Sequence, residues 1–157
     1  MLTLDETFSE LRQRLTARDH LTDRTGDPIY YFVFPPEKMQ RVKEKIPDWK
    51  AKLEVQDGWV VRVFSLAARL LEFLASHMRR KVWLEYERDN PFELDTFRKS
   101  LASALTENDE VTNWVRQELT EAAKVPKGLL FLTDLEAVHP FLRIGTVEQA
   151  LQDSGRN

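Results

Sequence analysis

The stretch YYFVFPPE, Tyr30 to Glu37, carries an unbroken apolar run into two prolines and an acid. With Ile29 the run is six residues long and lacks polar alternation, which predicts a strand over about 29–34 covered on both faces, as in a parallel sheet. Neither Pro35 nor Pro36 can prolong a strand ladder. A proline does suit the first turn of a helix, where its missing N–H would have no partner, and Glu37 would sit at that helix's positive end. The stretch therefore predicts a strand handing the chain to a helix, the repeating step of an α/β fold.

The same step recurs further along the chain. Met39, Val42, Ile46, Trp49 and Leu53 keep helical spacing, with Pro47 predicting a kink or two short helices in tandem and Gln56-Asp57-Gly58 ending the segment. Trp59–Phe64 predicts a second strand, and Ser65 the N-cap of a helix whose core face includes Leu66, Leu70, Phe73 and Leu74. Gly128–Leu132 predicts a third strand, closed by the cap pair Thr133-Asp134 and a helical turn over Leu135–Val138. An amphipathic helix over about 3–18, with Leu4, Phe8, Leu11 and Leu15 on its apolar face, precedes a polar loop, Asp19–Pro28. Residues 77–124 form a helical insertion: a mixed segment to Arg88 that leans towards helix, a helix start at Asn90-Pro91, and another at Asn108. Thr146–Leu151 is a last amphipathic piece before a polar tail, 152–157. The expectation is a single domain over 1–157, a three-layer Rossmann-like α/β fold with a small parallel sheet of at least three strands, about 29–34, 59–64 and 128–132, flanked by helices.

With 157 residues the chain has the length of one domain and can bury roughly 70% of its unfolded surface. Its 42% hydrophobic and 31% charged content is that of a globular protein, and no apolar run approaches the ~20 residues of a membrane span. The opening MLTLDETFSELRQRL lacks the basic and apolar regions of a secretory signal. Without cysteine there is no disulfide framework, thiolate metal site or cysteine nucleophile, and a cytoplasmic location is expected. A net charge of −3 gives no general surplus for binding phosphates. The cluster Arg79-Arg80-Lys81 is followed by Glu85, Glu87 and Asp89, which should offset its field.

In an open α/β sheet, ligands bind beyond the carboxyl ends of the strands, here Pro35-Pro36, Ser65-Leu66 and Thr133-Asp134. The glycines at 26, 58, 128, 145 and 155 form neither GxGxxG nor a P-loop, so no familiar ATP or NAD site is present. His20, His77 and His139 show no paired ligand spacing, and no G-x-S-x-G elbow occurs. Asp134 could serve as a Mg²⁺ ligand if a second carboxylate, Glu37 or Glu136, converged on it; its other role is to cap the following turn. Trp49 and Trp114 fall on helical stripes and belong to a core. Trp83 lies in Lys81-Val82-Trp83-Leu84-Glu85-Tyr86, whose apolar residues cannot all face one core, and is a candidate for an exposed partner-binding segment.

Four blocks, Phe34-Pro35-Pro36-Glu37, Val61–Leu74, Leu130-Phe131-Leu132-Thr133 and Pro140-Phe141-Leu142-Arg143, occur in an order and spacing that resembles the BrxB family of bacteriophage exclusion (BREX) defence systems. Relatives continue past the last block into another strand ending near Pro-Gly, where this sequence runs from Ile144 to Asn157. The resemblance implies a non-enzymatic adaptor that binds a PglZ-like protein of the alkaline-phosphatase superfamily, alongside the system's DNA methyltransferase, with DNA reached only indirectly. It implies no cofactor, metal or catalytic residue. The candidate interaction surface comprises Pro35, Pro36 and Glu37 at the first junction, Trp83 and Tyr86 in the insertion, Asp134 at the strand end, and His139, Pro140, Phe141 and Arg143 in the last block. Two readings from other classes stay open: a metal-dependent phosphoryl-transfer enzyme or nuclease centred on Asp134, and a DNA-binding subunit using Arg79-Arg80-Lys81.

Overall fold

A computed structural model describes residues 1–19, 29–139 and 141–154. The elements run α1 (Leu4–Asp19), a 3-10 turn (Pro36–Lys38) leading into α2 (Met39–Asp57), β1 (Val60–Ser65), α3 (Leu66–Ser76), α4 (Arg80–Asp89), α5 (Leu94–Thr106), α6 (Glu110–Ala123), β2 (Gly128–Thr133), a second 3-10 turn (Leu135–Ala137) and α7 (Ile144–Ser154). β1 and β2 pair as a two-stranded parallel sheet flanked by helices, so the protein is mixed α/β. The chain divides into two compact units, Met1–Val61 with Val125–Leu129 and Arg62–Lys124 with Leu130–Asn157. The predicted loop beyond Asp19, the end of the polar tail from residue 155, and Pro140 lie outside the described residues.

In the first unit, α1 opens with a reciprocal cap. The Glu6 N–H donates to Thr3 Oγ1 at 3.2 Å and the Thr3 N–H to Glu6 Oε2 at 2.6 Å, satisfying two donors that a helix start leaves open. The apolar face then buries Leu4, Phe8 and Leu15, and the Phe8 ring stacks on Trp49 of α2 at 4.9 Å. Pro47 suggested a kink or two tandem helices; the tandem helices do not form, and α2 runs unbroken through Pro47. One missing N–H costs a single ladder bond, whereas Val42, Trp49 and Leu53 bury a common stripe that holds both halves in phase. Gly58 ends the helix at φ 72°, a left-handed conformation that only glycine adopts without strain, and its N–H reaches back to the Leu53 carbonyl.

The predicted strand over 29–34 is not formed: residues 29–35 are outside any helix or strand. Its side chains alternate nonetheless. Ile29, Tyr31 and Val33 are exposed while Tyr30, Phe32 and Phe34 are half-buried, and the Phe32 ring lies 4.9 Å from Trp49 and 6.0 Å from Phe34. An uninterrupted apolar run suggested cover on both faces. In the structure alternate side chains are half-buried, and of these Phe32 packs against Trp49 of α2.

The first unit also contains a two-pronged ion pair. Arg12 Nε donates to Asp57 Oδ2 and Nη2 to Asp57 Oδ1, both at 2.8 Å, with Nη2 also 2.9 Å from Gln56 Oε1. The hydrogen bonds from Arg12 hold the Asp57 carboxyl below the usual carboxylate range. A depressed folded pKa contributes stability that is present above the unfolded value of about 3.9 and is lost as pH falls through the folded value. Asp57→Asn is therefore expected to lower the melting temperature at pH 6, with the gap to the native chain narrowing as pH falls to 3 and below. Thermal melts followed by circular dichroism at both pH values check this; an undiminished gap at pH 3 would contradict it.

The second unit packs helix on helix. Ser65 caps α3 by accepting the Ala68 N–H at 3.1 Å, as its position predicted. Leu66, Leu70 and Phe73 of α3 bury against Leu101 and Leu105 of α5, Val111, Trp114 and Val115 of α6, Val138 and Val147. Each such side chain contributes about 1.5–3 kcal/mol on leaving water. The Phe73 ring meets Trp114 edge-on at 5.5 Å, and the Arg69 guanidinium lies 4.6 Å from the Trp114 ring centre. In β1, Arg62 reaches Glu118 of α6 at 2.8 Å. Asn90 does not start a helix, as its pairing with Pro91 suggested. It closes α4, its N–H donating to the Tyr86 carbonyl at 2.8 Å and its side-chain amide to the same oxygen at 3.3 Å, and α5 begins four residues later at Leu94.

Candidate functional site

At the carboxyl ends of β1 and β2, where an α/β protein places its ligands, the polar side chains bond to one another. The Ser65 hydroxyl donates to Asp134 Oδ2 while its oxygen accepts the Ala68 N–H, so one serine joins the end of β2 to the start of α3. Thr133 Oγ1 lies 3.4 Å from Asp134 Oδ2 and 3.5 Å from the Phe64 carbonyl. Asp134 adopts φ 57°, a left-handed conformation that aspartate tolerates better than most residues, and this turns its carboxylate towards Ser65. It does not cap the turn that follows, because its side chain makes no cap hydrogen bond there.

Convergence of carboxylates on Asp134 was the requirement for a metal-dependent centre. Among the described residues no three His, Asp or Glu side chains come together as a metal site would need. Glu136 is exposed on the 3-10 turn, and Glu37 is exposed in the turn before α2. The strand ends thus present hydroxyl and carboxylate groups already engaged in joining elements.

The other candidates divide between the units. Pro35, Pro36 and Glu37 belong to the first, where Pro36 opens the 3-10 turn and Pro36 and Glu37 are exposed. Trp83, Tyr86, Asp134, His139, Phe141 and Arg143 belong to the second. Trp83 is not an exposed anchor: it is 6% exposed, its indole Nε1 donates to Ser100 Oγ at 2.9 Å, and its ring stacks on His77 at 4.8 Å. The conflict seen in its segment is resolved the other way round, with Val82 and Leu84 left in water on either side of it. Phe141 is half-buried against the core, His139 is exposed, and exposed Arg143 lines an open depression along α7 with Gly145, Thr146 and Gln149.

Tyr86 is half-buried and bonds to a residue the sequence did not suggest as its partner. Its hydroxyl donates to Glu93 Oε2 at 2.7 Å, and with the Asn90 bonds and the Glu93 N–H to Asn90 carbonyl at 3.1 Å it fastens the turn between α4 and α5. That turn holds Phe92 95% exposed, followed by Leu94 at 57%. Sequence reasoning passed over Phe92 because a helix start at Asn90 would have placed it in a first turn. The available signal was the charge pattern of the preceding helix, which has Arg79, Arg80 and Lys81 at one end and Glu85, Glu87 and Asp89 towards the other. Among the described residues no helix is long and apolar enough to cross a membrane. No family model matches the chain, nor does any curated protein or solved structure.

Proposed function

We propose that this chain is a non-enzymatic adaptor of a BREX-type anti-phage system, acting in the cytoplasm, where it binds a PglZ-like protein and supports host DNA methylation and phage restriction. The observation that carries this is the use made of the blocks resembling the BrxB family. Val61–Leu74, Leu130–Thr133 and Phe141–Arg143 supply core residues such as Phe64, Leu66, Leu70, Phe73, Leu132, Phe141 and Leu142, and their neighbouring polar groups, Ser65 and Asp134, are hydrogen-bonded to each other. Such a framework favours a protein that acts through its surface. The methyltransferase is a further partner in this scheme, and contact with DNA runs through these proteins.

The experiment uses a bacterium with a complete system of this type. Deleting the gene for this chain is expected to abolish both phage restriction and the site-specific host methylation, with the native chain restoring them. Asp134→Asn, which keeps an acceptor oxygen and tolerates the same backbone conformation, is expected to restore them equally. Restriction that persists without the gene would overturn the proposal, and a folded Asp134→Asn protein that fails to restore it would point to carboxylate chemistry instead.

A further inference from the structure

From the turn between α4 and α5 we infer the surface by which the adaptor holds its partner: Phe92 and Leu94 enter an apolar pocket rimmed by lysine and arginine on another protein. This rests on the adaptor reading and adds to it the place and the chemistry of contact. A phenylalanine 95% exposed in water forgoes the burial that most of its kind obtain, and aromatic anchors of this type carry much of the affinity of protein interfaces. The turn is also fixed before binding, by Tyr86 Oη to Glu93 Oε2 at 2.7 Å and by two bonds from Asn90 to the Tyr86 carbonyl. Prior ordering lowers the entropy lost on association.

The charge around the turn selects the partner. Residues 85–95 contain Glu85, Glu87, Asp89, Glu93 and Asp95 against Arg88 alone, five acids less one base, or −4. Lys81 and Arg98 stand 3.9 Å from Glu85 and 3.8 Å from Asp95 as exposed pairs, and with Lys99 the wider span 81–99 carries −1, its acids gathered at the turn itself. The arrangement runs against the dipole of α4. Its bases lie at the N-terminal end, its acids gather towards the C-terminal end, and each misplaced charge costs about 0.3–1 kcal/mol in helix stability. The dipole is therefore no reason to place the acids there; Glu85 pairs with Lys81 one turn back, and recognition of a basic rim accounts for Glu87 and Asp89.

The same field disfavours the other occupants. Nucleic acid is repelled, and a second copy docked symmetrically would set like charges face to face.

The test measures the affinity of the full chain for the purified PglZ-like protein by biolayer interferometry at 50 and 300 mM salt. Phe92→Ala is expected to raise the Kd about 30-fold or more while the melting temperature stays unchanged. Glu87→Lys combined with Asp89→Lys is expected to slow association several-fold at low salt, with the difference shrinking at high salt. If the native chain binds and Phe92→Ala binds within twofold of it, the contact lies elsewhere and this inference fails while the adaptor reading survives. Phe92-dependent self-association that competes with the partner would assign the surface to a second copy and overturn the inference. No binding by the native chain would overturn the adaptor reading, and this surface with it.

Discussion

Trp83→Ala is expected to destabilise the second unit by about 3–5 kcal/mol, in the range for truncating a fully packed aromatic side chain, and to lower its melting temperature by more than about 10 °C. The indole is 6% exposed, its N–H satisfies Ser100, and its ring stacks on His77, which in turn meets Phe73 at 4.9 Å. Removing it opens a cavity between α3, α4 and α5 and takes away the donor to Ser100. Trp83→Phe retains most of the ring and should lose much less. Calorimetry or circular dichroism melts check the order. A Trp83→Ala protein that melts with the native chain would mean the residue is a surface anchor after all.

The second large effect is at Asp134, where backbone and side chain contribute separately. Asp134→Ala removes the acceptor for the Ser65 hydroxyl and places a Cβ-bearing residue with no compensating polar group at φ 57°. A lost hydrogen bond to a charged group costs about 1.5–3 kcal/mol and the left-handed conformation roughly 1–2 kcal/mol more. Asp134→Gly relieves the backbone and loses only the hydrogen bond; Asp134→Asn keeps an acceptor and tolerates the conformation. Stability is therefore expected to fall in the order native, Asn, Gly, Ala. Urea unfolding measures it, and an alanine variant as stable as the asparagine variant would show that the carboxylate does not join the strand end to α3.

Local rules made much of this fold legible. The apolar stripe of Leu4, Phe8 and Leu15, the glycine after Asp57 and the serine before Leu66 each determine their own element, and each was found in place. The extended run at 29–34 was misjudged because periodicity reports which side chains are apolar, not which neighbour covers them. Trp49, on a helix, packs against Phe32, which a sheet was expected to bury. The same limit applied to Trp83, whose cover comes from His77 and from Ser100, 17 positions along the chain.

The candidate site was harder to see. The partnership of Ser65 and Asp134 spans 69 positions, and nothing local to either residue announces the other. Phe92 was hidden by a competing local rule, since Asn-Pro reads as a helix start until the Tyr86 carbonyl in the last turn of α4 claims the asparagine. Only the charge reversal along α4 was readable in advance. It is a cost to the helix, and costs of that kind tend to mark positions held for another purpose.

The decisive measurement is an isothermal titration of the purified chain into the purified PglZ-like protein. A saturable one-to-one complex with a Kd of about 1 μM or tighter, equivalent to ~8 kcal/mol, is the predicted result. No saturable heat at concentrations of about 100 μM, equivalent to an affinity weaker than ~5.5 kcal/mol, would contradict it.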